Sequence, residues 1–468
     1  MLFNSLQYLL FLGVVLALYN VLSFRRQNAM LLVASYLFYA AWDWRFLSLI
    51  WISTGVDFVV GRRIQALRDQ GRPESARGWL ALSLITNLGL LWFFKYFGFF
   101  VESAEAMLDS LGLDVSTSTL NIILPVGISF YTFQTLSYTI DIWRGKLRPV
   151  KSLLDFALFV AFFPQLVAGP IERAKHLLPQ IERPRTLTTT GVAEGVYLII
   201  IGLVRKVVIA DTAGAIADRY FEAPNNYGTL ALVAGILLYA IQIYGDFAGY
   251  SNIARGSARL LGFDLMRNFR HPYFAANIVD FWRRWHISLS TWLRDYLYIP
   301  LGGNRGTAGR TRANLMMTML LGGLWHGASW YFVLWGGLHG LYLIGYRSLS
   351  HRRVASGRPP WSPIAGMAAT FTLVAVTWLP FRLAVESTFG EYLVGLSRWS
   401  VVDVSVVVPV VVLYLLLLAI DLPQYRADDE FVLLRQSSVE VGVRAGAALV
   451  LLVLFSGGAD VPFIYFQF

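Results

Sequence analysis

Long blocks of apolar residues follow one another along most of the chain and are separated by short polar loops. The clearest blocks are Leu6 to Leu22, Trp79 to Val101, Gly191 to Leu203, Thr229 to Ile243, Ala365 to Leu379, Val401 to Ile420 and Val441 to Phe455. Several of them approach the roughly 20 residues that a helix needs to cross a bilayer. The pattern therefore predicts an all-α, polytopic membrane protein in which each block forms a helix.

Arginine and lysine are concentrated in alternate loops, which the positive-inside rule assigns to the cytoplasm. The basic loops are Arg25 and Arg26, Arg62 to Arg77, Arg144 to Lys151 and Arg347 to Arg358. The loops Glu102 to Asp114 and Asp211 to Asn226 are acidic or nearly neutral. Threading the chain accordingly predicts an N-terminus outside and about 11 or 12 spanning helices, with the short blocks near Leu31 and Met316 as the least certain of them.

Composition supports a lipid environment and excludes some chemistry. Of the 468 residues, 56% are apolar or aromatic and only 15% are charged. The net charge of +10 lies mostly in the short basic loops, so it favours positive-inside topology, and we expect no nucleic-acid partner. The chain has no cysteine, which excludes disulfides, thiolate metal sites and a cysteine acyl-enzyme. We expect no metal site.

Two regions do not fit simple spanning helices. Leu153 to Pro179 is apolar but is interrupted by Pro164 and by Gly169-Pro170. Asp246 to Thr311 mixes arginines with tryptophans and tyrosines, which predicts segments that dip partway into the membrane or lie along its surface. Broken backbone at membrane depth must be covered by protein or line a wet cavity, so function is expected here. We predict one domain, 1–468, with spanning helices in 1–140, a motif-bearing core in 141–345 and further spanning helices in 346–468.

His326 and His286 are the strongest candidates for catalysis. His326 lies in an apolar stretch with no charged residue between Arg312 and Arg347. An ionisable group in such a place is a functional candidate, and desolvation favours the neutral imidazole that accepts a proton from a hydroxyl. A structural histidine remains the alternative. His286 lies among Trp285 and adjacent arginines, which indicates either a donor site at a water boundary or an interfacial belt.

The remaining polar residues are weaker candidates. Asp246 follows an apolar helix. Three roles are open for it: to orient a histidine, to pair with an arginine, or to form a structural ion pair. Ser329, one helical turn after His326, is a weak nucleophile candidate. His339, on the following helix, is expected to pack or to pair helices. Three other histidines beside basic or proline-containing loops are expected to be solvated: His176, His271 and His351.

Five segments together resemble the membrane-bound O-acyltransferase family in its bacterial alginate O-acetylation branch. They are Leu124 to Gln134, Phe163 to Ile171, Asp246 to Ser251, Phe281 to Arg305 and Gly323 to Gly327. The resemblance implies a ring of tilted helices around a central tunnel that joins a cytoplasmic donor to an outer acceptor. It also implies that this is a multi-pass protein of the bacterial inner membrane.

The resemblance also assigns roles to residues. His326 matches the family's invariant histidine and becomes the general base, while His286 positions or polarises the donor. Arg283, Arg284, Arg294 and Trp285 are expected to bind the donor, and Asp246, Trp325 and Ser329 to support the tunnel. No cofactor is bound permanently; acetyl-CoA or another acyl thioester is the expected co-substrate. The expected partners are the lipid bilayer, a periplasmic acetyltransferase and a polysaccharide acceptor.

The function expected on this basis is transfer of an acetyl group across the membrane for O-acetylation of an extracytoplasmic polysaccharide, with an alginate-type polymer first. One alternative keeps the fold and changes the cargo to D-alanine destined for teichoic acid. The other is a secondary transporter, which also has broken helices and buried polar groups. We find no inverted repeat that favours it.

Overall fold

The computed structural model describes residues 1–113, 120, 122–167, 169–356, 362–384, 389–399, 404–455 and 463–464. Four parts of the segments discussed above lie outside the described residues: Asp114, Ala168, 357–358 and 401–403. Throughout the described ranges the regular structure is helical, which confirms the all-α prediction.

Within these ranges, six helical runs are long and apolar enough to cross a membrane. They are Phe24–Asp69, Pro73–Ser110, Thr229–Leu260, Pro363–Leu383, Val404–Ala427 and Ser438–Phe455, and Leu6–Val21 is a shorter apolar helix. The protein is therefore a multi-pass membrane protein, as predicted. The total of about 11 or 12 spans and their orientation stay predictions.

The described residues form two compact units, and the first comprises 1–192 with 257–266. Its helices are α1 (Leu6–Val21), α2 (Phe24–Asp43), α3 (Leu47–Asp69), α4 (Ala76–Leu91), α5 (Phe97–Ser110), α6 (Ile128–Trp143), α7 (Leu153–Ala161), α8 (Phe163–Leu166) and α9 (Ala174–Glu182). A polar cluster ties α3 to α4, because the Asp57 carboxylate accepts hydrogen bonds from Ser83 at 2.6 Å and from Asn87 at 2.9 Å.

The first irregular region of the sequence is a broken helix inside this unit. The chain leaves α7 after Ala161, and α8 is only four residues long. Side chains satisfy the backbone that the break frees: Gln134 and Gln165 each donate to the Phe159 carbonyl at 2.6 Å, and Ser35 accepts from the Phe163 amide at 3.0 Å. This is the compensation that a helix break at membrane depth requires.

The second unit comprises 193–256 and 267–468. Its helices are α10 (Thr189–Leu203), which begins just before it, α11 (Asp211–Glu222), α12 (Thr229–Leu260), which ends just beyond it, α13 (Ile278–Arg284), α14 (Ile287–Leu293), α15 (Ala308–His326), α16 (Trp330–Ala355), α17 (Pro363–Leu383), α18 (Phe389–Leu396), α19 (Val404–Ala427) and α20 (Ser438–Phe455). A π-helical turn, Val204–Ala210, joins α10 to α11, and another, Arg294–Tyr298, follows α14. The single-domain organisation stays a prediction.

Helix α12 is the best-buried span of this unit, whereas α20 leaves its apolar length exposed, as a lipid-facing helix does. Facing glycines bring α10 and α12 together: a methyl group on Gly202 would meet the Gly249 carbonyl oxygen at 2.7 Å, and one on Gly256 would meet that of Gly195 at 2.6 Å. Small residues at such positions let membrane helices approach closely.

The second irregular region is only partly as predicted. Residues 246–260, expected in an interfacial or re-entrant stretch, continue the regular helix α12. Asp246 therefore lies within a helix and does not follow one. Beyond Leu260 the chain does break up, into an extended segment, the seven-residue helices α13 and α14 and a π-helical turn.

Candidate active site

Helices α15 and α16 form the hairpin that carries His326. His326 is the last residue of α15, and Gly327 ends the helix in an extended conformation. The two helices pack closely at glycines, because a methyl group on Gly323 would collide with the Phe332 carbonyl and one on Gly336 with the Met319 carbonyl. This close packing fixes the imidazole at the turn of the hairpin.

Aromatic rings surround His326, whose exposed fraction is only 3%. The ring centroids of Trp335 and Phe381 lie 5.0 and 5.4 Å from that of the imidazole, and Trp325 lies 5.2 Å away. Such a shell excludes bulk water and lowers the local dielectric constant. Electrostatic interactions and hydrogen bonds of the imidazole are therefore stronger there than in water. The placement fits the predicted general base without testing it.

His286 lies at the sharp turn between α13 and α14. Its backbone is left-handed, with φ 41° and ψ 55°, a conformation that is uncommon outside glycine and recurs at functional sites. The side chain is fully buried, so the expected position at a water boundary is wrong. Burial lowers the pKa of the His286 imidazole to about 3. The ring is therefore neutral at pH 7.

Asn268 fixes the turn that carries His286, and no local pattern in the sequence pointed to this residue. The Asn268 carbonyl accepts from the Ile287 amide at 2.9 Å, and its side-chain oxygen accepts from the Ser288 amide at 3.2 Å and hydroxyl at 2.8 Å. The Asn268 amide donates to the Ser251 hydroxyl at 3.4 Å. Asn268 thus links the start of α14 to α12.

The two candidate histidines lie close together in a buried cluster of rings. Their ring centroids are 6.4 Å apart, and the Trp325 ring lies beside both, 5.9 Å from His286 and 5.2 Å from His326. The Phe247 ring packs against His286, with its centroid 4.7 Å from that of the imidazole. The structure therefore brings together His286, His326 and Trp325, which are 39 or more residues apart except for the Trp325-His326 neighbours.

His339 pairs helices, as predicted. It is fully buried on α16, and its Nε2 lies 3.1 Å from the Thr377 hydroxyl on α17. The Thr377 hydroxyl donates to the Val374 carbonyl at 2.7 Å, so it accepts from His339 Nε2–H. Hydrogen bonding thereby fixes the tautomer of a histidine whose ring lies 4.6 Å from that of Trp335.

Asp246 forms a structural ion pair, one of the three alternatives that the sequence left open. Its carboxylate lies 3.0 Å from Lys206 Nζ and accepts from the Ile464 amide at 2.7 Å. Lys206 is fully buried and also pairs with Asp211 at 2.7 Å. Phe463 stacks on Tyr250, with centroids 4.2 Å apart. Asp246 therefore anchors residues 463–464 to α12.

The four residues expected to bind the donor differ in accessibility. Arg283 is exposed, Arg284 pairs with Asp280 at 2.9 Å, and the exposed Arg294 pairs with Asp295 at 2.7 Å. Trp285 is buried and stacks on Phe281 with centroids 5.6 Å apart. The arginines are thus available to a ligand in water, whereas Trp285 packs in the aromatic core.

Ser329 is not one helical turn beyond His326, because α15 ends at His326. It lies in the turn before α16, where its hydroxyl accepts from the Tyr331 amide at 3.3 Å. Ser329 is thus a partly buried turn residue, which argues against the prediction that it is a nucleophile. In the described part of the chain, no group of three or more histidine, cysteine, aspartate or glutamate side chains is arranged to hold a metal ion.

Residues 146–375 match the model of the family described as "MBOAT, membrane-bound O-acyltransferase family". A protein of Azotobacter vinelandii named "Probable alginate O-acetylase AlgI" is 44% identical over 409 residues, which cover 86% of this chain and 80% of that protein. The chain belongs to the membrane-bound O-acyltransferase family. It is accordingly an O-acyltransferase.

Two further relatives show how widely this acyltransferase family extends. The "Peptidoglycan O-acetyltransferase" of Helicobacter pylori is 37% identical over 407 residues, 80% of this chain and 75% of that protein. The "Teichoic acid D-alanyltransferase" of Streptococcus thermophilus is 28% identical over 281 residues, 55% of this chain and 68% of that protein.

The acyltransferase also contains a buried charge cluster that sequence reasoning missed. Asp421 pairs with Arg205 and accepts from the Tyr244 hydroxyl at 2.6 Å, and His271 Nδ1 lies 3.7 Å from it. His271 is only 4% exposed, so the prediction that it is solvated is wrong. Burial lowers the pKa of His271. Because these residues are distant in sequence, only the fold reveals their pairing.

Proposed function

We propose that this acyltransferase passes an acetyl group from a cytoplasmic thioester, with acetyl-CoA first, across the bacterial inner membrane for O-acetylation of an extracytoplasmic polysaccharide. An alginate-type polymer is the first candidate, and a periplasmic acetyltransferase is the proposed partner that completes the transfer. The observation that carries the proposal is the pair of buried histidines 6.4 Å apart in a chain 44% identical to a protein named for alginate O-acetylation.

His326 acts as the general base in this reaction. It takes the proton of the acceptor hydroxyl while that oxygen attacks the thioester carbonyl carbon. The new C–O bond forms as the C–S bond breaks, and the proton passes from His326 to the departing thiolate, which leaves as the free thiol. Burial among Trp325, Trp335 and Phe381 keeps water from competing with the acceptor.

His286 positions the donor by hydrogen bonding. Its neutral ring offers one N–H donor and one acceptor nitrogen, and an N–H aimed at the thioester carbonyl would stabilise the negative charge that develops on that oxygen. Asn268 holds the turn that carries this ring. The exposed Arg283 and Arg294 and the partly exposed Arg284 are the proposed contacts for the donor's phosphates.

D-alanyl transfer is the second candidate, and the match to a teichoic acid D-alanyltransferase favours it to some extent. That match covers 55% of the chain, whereas the matches to proteins named for O-acetylation cover 80% or more. Acetyl transfer is therefore the better-supported cargo. The second relative's name makes peptidoglycan the next acceptor to test after alginate.

A donor comparison tests the cargo directly. Inverted inner-membrane vesicles from the native host, with and without the gene, receive labelled acetyl-CoA or a carrier protein charged with labelled D-alanine. Gene-dependent label in polymer inside the vesicles from acetyl-CoA alone is the expected result. Gene-dependent label from the D-alanyl carrier alone would replace the proposal by the second candidate. No gene-dependent label from either donor would overturn both.

A further inference from the structure

A polar cavity lies between the first half of α15 and the second half of α16. Its volume is about 510 Å³, and Thr311, Arg312, Arg347, Ser348 and His351 contribute its polar lining. This end of the hairpin carries the basic stretch that begins at Arg347, which the positive-inside rule places on the cytoplasmic side. His326 lies at the opposite end of α15, so the cavity is distinct from the site of the two histidines.

The cavity has positive charge and no acid to balance it. None of its lining residues is acidic, and residues 296–385, which include both helices, contain no aspartate or glutamate. The Arg312 side chain makes no hydrogen bond or ion pair within the described part of the chain. Two guanidinium groups beside one cavity repel each other, so an anion between them would relieve the repulsion.

Arg347 is held in place at the cavity before any ligand arrives. Its Nη1 donates to the Asn304 side-chain oxygen at 2.8 Å, and that oxygen also accepts from the Tyr298 hydroxyl at 2.5 Å. Asn304 stands in a loop turned by Gly302, Gly303 and Gly306, all with positive φ. A guanidinium has five N–H donors, and Asn304 takes one of those of Arg347. The guanidinium makes no other hydrogen bond within the described part of the chain, so its remaining N–H groups are available to an oxygen-rich ligand.

Two further groups suit the same ligand. Thr311 and Ser348 line the cavity, but the Ser348 hydroxyl donates to the Ile344 carbonyl at 2.9 Å, so Thr311 provides the hydroxyl donor. Helix α15 begins at Ala308, so the positive end of its dipole is also there. Guanidinium groups, hydroxyls and helix N-termini are the groups that recognise phosphate oxygens in proteins. A carboxylate would use fewer of them, because it has two oxygens where a phosphate offers three or more.

We propose that the cavity between Arg312 and Arg347 is a phosphate-binding site on the cytoplasmic side of the protein. The phosphate belongs either to the headgroup of an anionic phospholipid or to the nucleotide portion of a soluble thioester donor. The lipid source is independent of the proposed acyl transfer, whereas the nucleotide source rests on the proposed thioester donor. A lipid would make it an anchoring site, and a nucleotide would make it a capture site for the donor.

The test uses full-length protein purified in detergent and the variant Arg312→Gln/Arg347→Gln. One experiment measures by native mass spectrometry how much phosphatidylglycerol, compared with phosphatidylcholine, stays bound. The other measures equilibrium binding of coenzyme A itself. We expect the wild type to bind one of the two probes and the double variant to bind it about tenfold more weakly, because charge-assisted hydrogen bonds to phosphate are lost. The affected probe identifies the source of the phosphate.

Matched controls separate this site from general surface charge. Arg26→Gln/Arg72→Gln removes two exposed arginines from other basic stretches and should leave both bindings unchanged. Arg312→Lys/Arg347→Lys keeps the charge and should lose less affinity than the glutamine variant. If the glutamine double variant does not fold, Arg312→Gln alone replaces it. Binding of neither probe by the wild type, no change in the variant, or an equal loss in the Arg26/Arg72 control would overturn the proposal.

Discussion

The imidazole rings of His286 and His326 lie 6.4 Å apart, with the Trp325 ring packed against both. The first ring is held by a left-handed turn between two short helices, and the second by the end of a tightly packed hairpin. The turn and the hairpin thus each hold one of the two rings and together determine the distance between them. Mutations in the turn or in the hairpin can therefore be tested separately from mutations of the histidines.

Removal of the Asn268 side chain should loosen the His286 turn. Asn268→Ala removes the oxygen that accepts from the Ser288 amide and hydroxyl, and each lost hydrogen bond costs about 0.5–1.5 kcal/mol. We expect acyl transfer to fall on the order of 10- to 100-fold, mainly in kcat, because the ring is misplaced. Ser251→Ala, which removes only the 3.4 Å contact on the other side of Asn268, should have little effect. Equal losses in both variants would contradict the role assigned to the Asn268 oxygen.

The α15–α16 hairpin should not tolerate a methyl group at Gly336. Gly336→Ala forces the added carbon into the Met319 carbonyl, and such overpacking costs about 1–3 kcal/mol. The midpoint of thermal unfolding in detergent should fall, and activity with it. Gly345→Ala on the same helix is the matched control, because nothing lies within 4 Å of the added carbon and alanine favours a helix over glycine. A lower midpoint in Gly345→Ala than in Gly336→Ala would contradict the packing account.

The buried Lys206–Asp246 pair should show strong coupling. Lys206→Met leaves the Asp246 carboxylate buried without its cation, and breaking a buried pair from one side costs about 3–5 kcal/mol. Adding Asp246→Asn removes the stranded charge and should restore part of the stability. A double-mutant cycle on unfolding free energies measures the coupling. Additive losses would show that the two side chains contribute independently.

A pH effect on stability should arise at His176 in the first unit. The hydrogen bond to Glu172, at 2.9 Å, raises the pKa of His176 above its ordinary value, and burial raises the pKa of Glu172. A histidine with a raised folded-state pKa stabilises fully below its unfolded pKa of about 6.5, and this stabilisation disappears as pH rises through the folded pKa. The unfolding midpoint of wild type should exceed that of His176→Gln at about pH 5.5, and the difference should shrink toward about pH 9. A difference that grows with pH would contradict the assigned sign.

The helical class and the break after Ala161 were predictable because apolar block length and proline position are local signals. The end of α12 was not. The apolar block stops at Ile243, yet the helix continues to Leu260, because Asp246 finds Lys206 and Arg255 finds Glu430 at 2.7 Å. Those partners lie far away in sequence, so the charges looked like the end of a membrane helix.

The candidate site likewise contains residues that the sequence singles out and residues that only the fold reveals. The sequence singles out both histidines: His326 is a lone imidazole in an apolar stretch, and His286 lies in a motif of arginines and tryptophans. Asn268 and Asp421 act only through contacts made by the fold, and His271 sits in a polar segment that looks solvated until Asp421 and Arg267 pack beside it. Pairings over such distances are invisible to a reading of local pattern.

The most direct test of the central claim is polymer-bound acetate in cells that carry wild type, His326→Ala or His286→Ala, with the membrane level of each protein checked by blot. His176→Ala serves as a histidine control outside the candidate active site. The account predicts that His326→Ala lowers polymer-bound acetate on the order of 100-fold or more at a normal protein level, since a general base contributes about that much. Unchanged acetate in His326→Ala would remove this histidine from the chemistry and contradict the account.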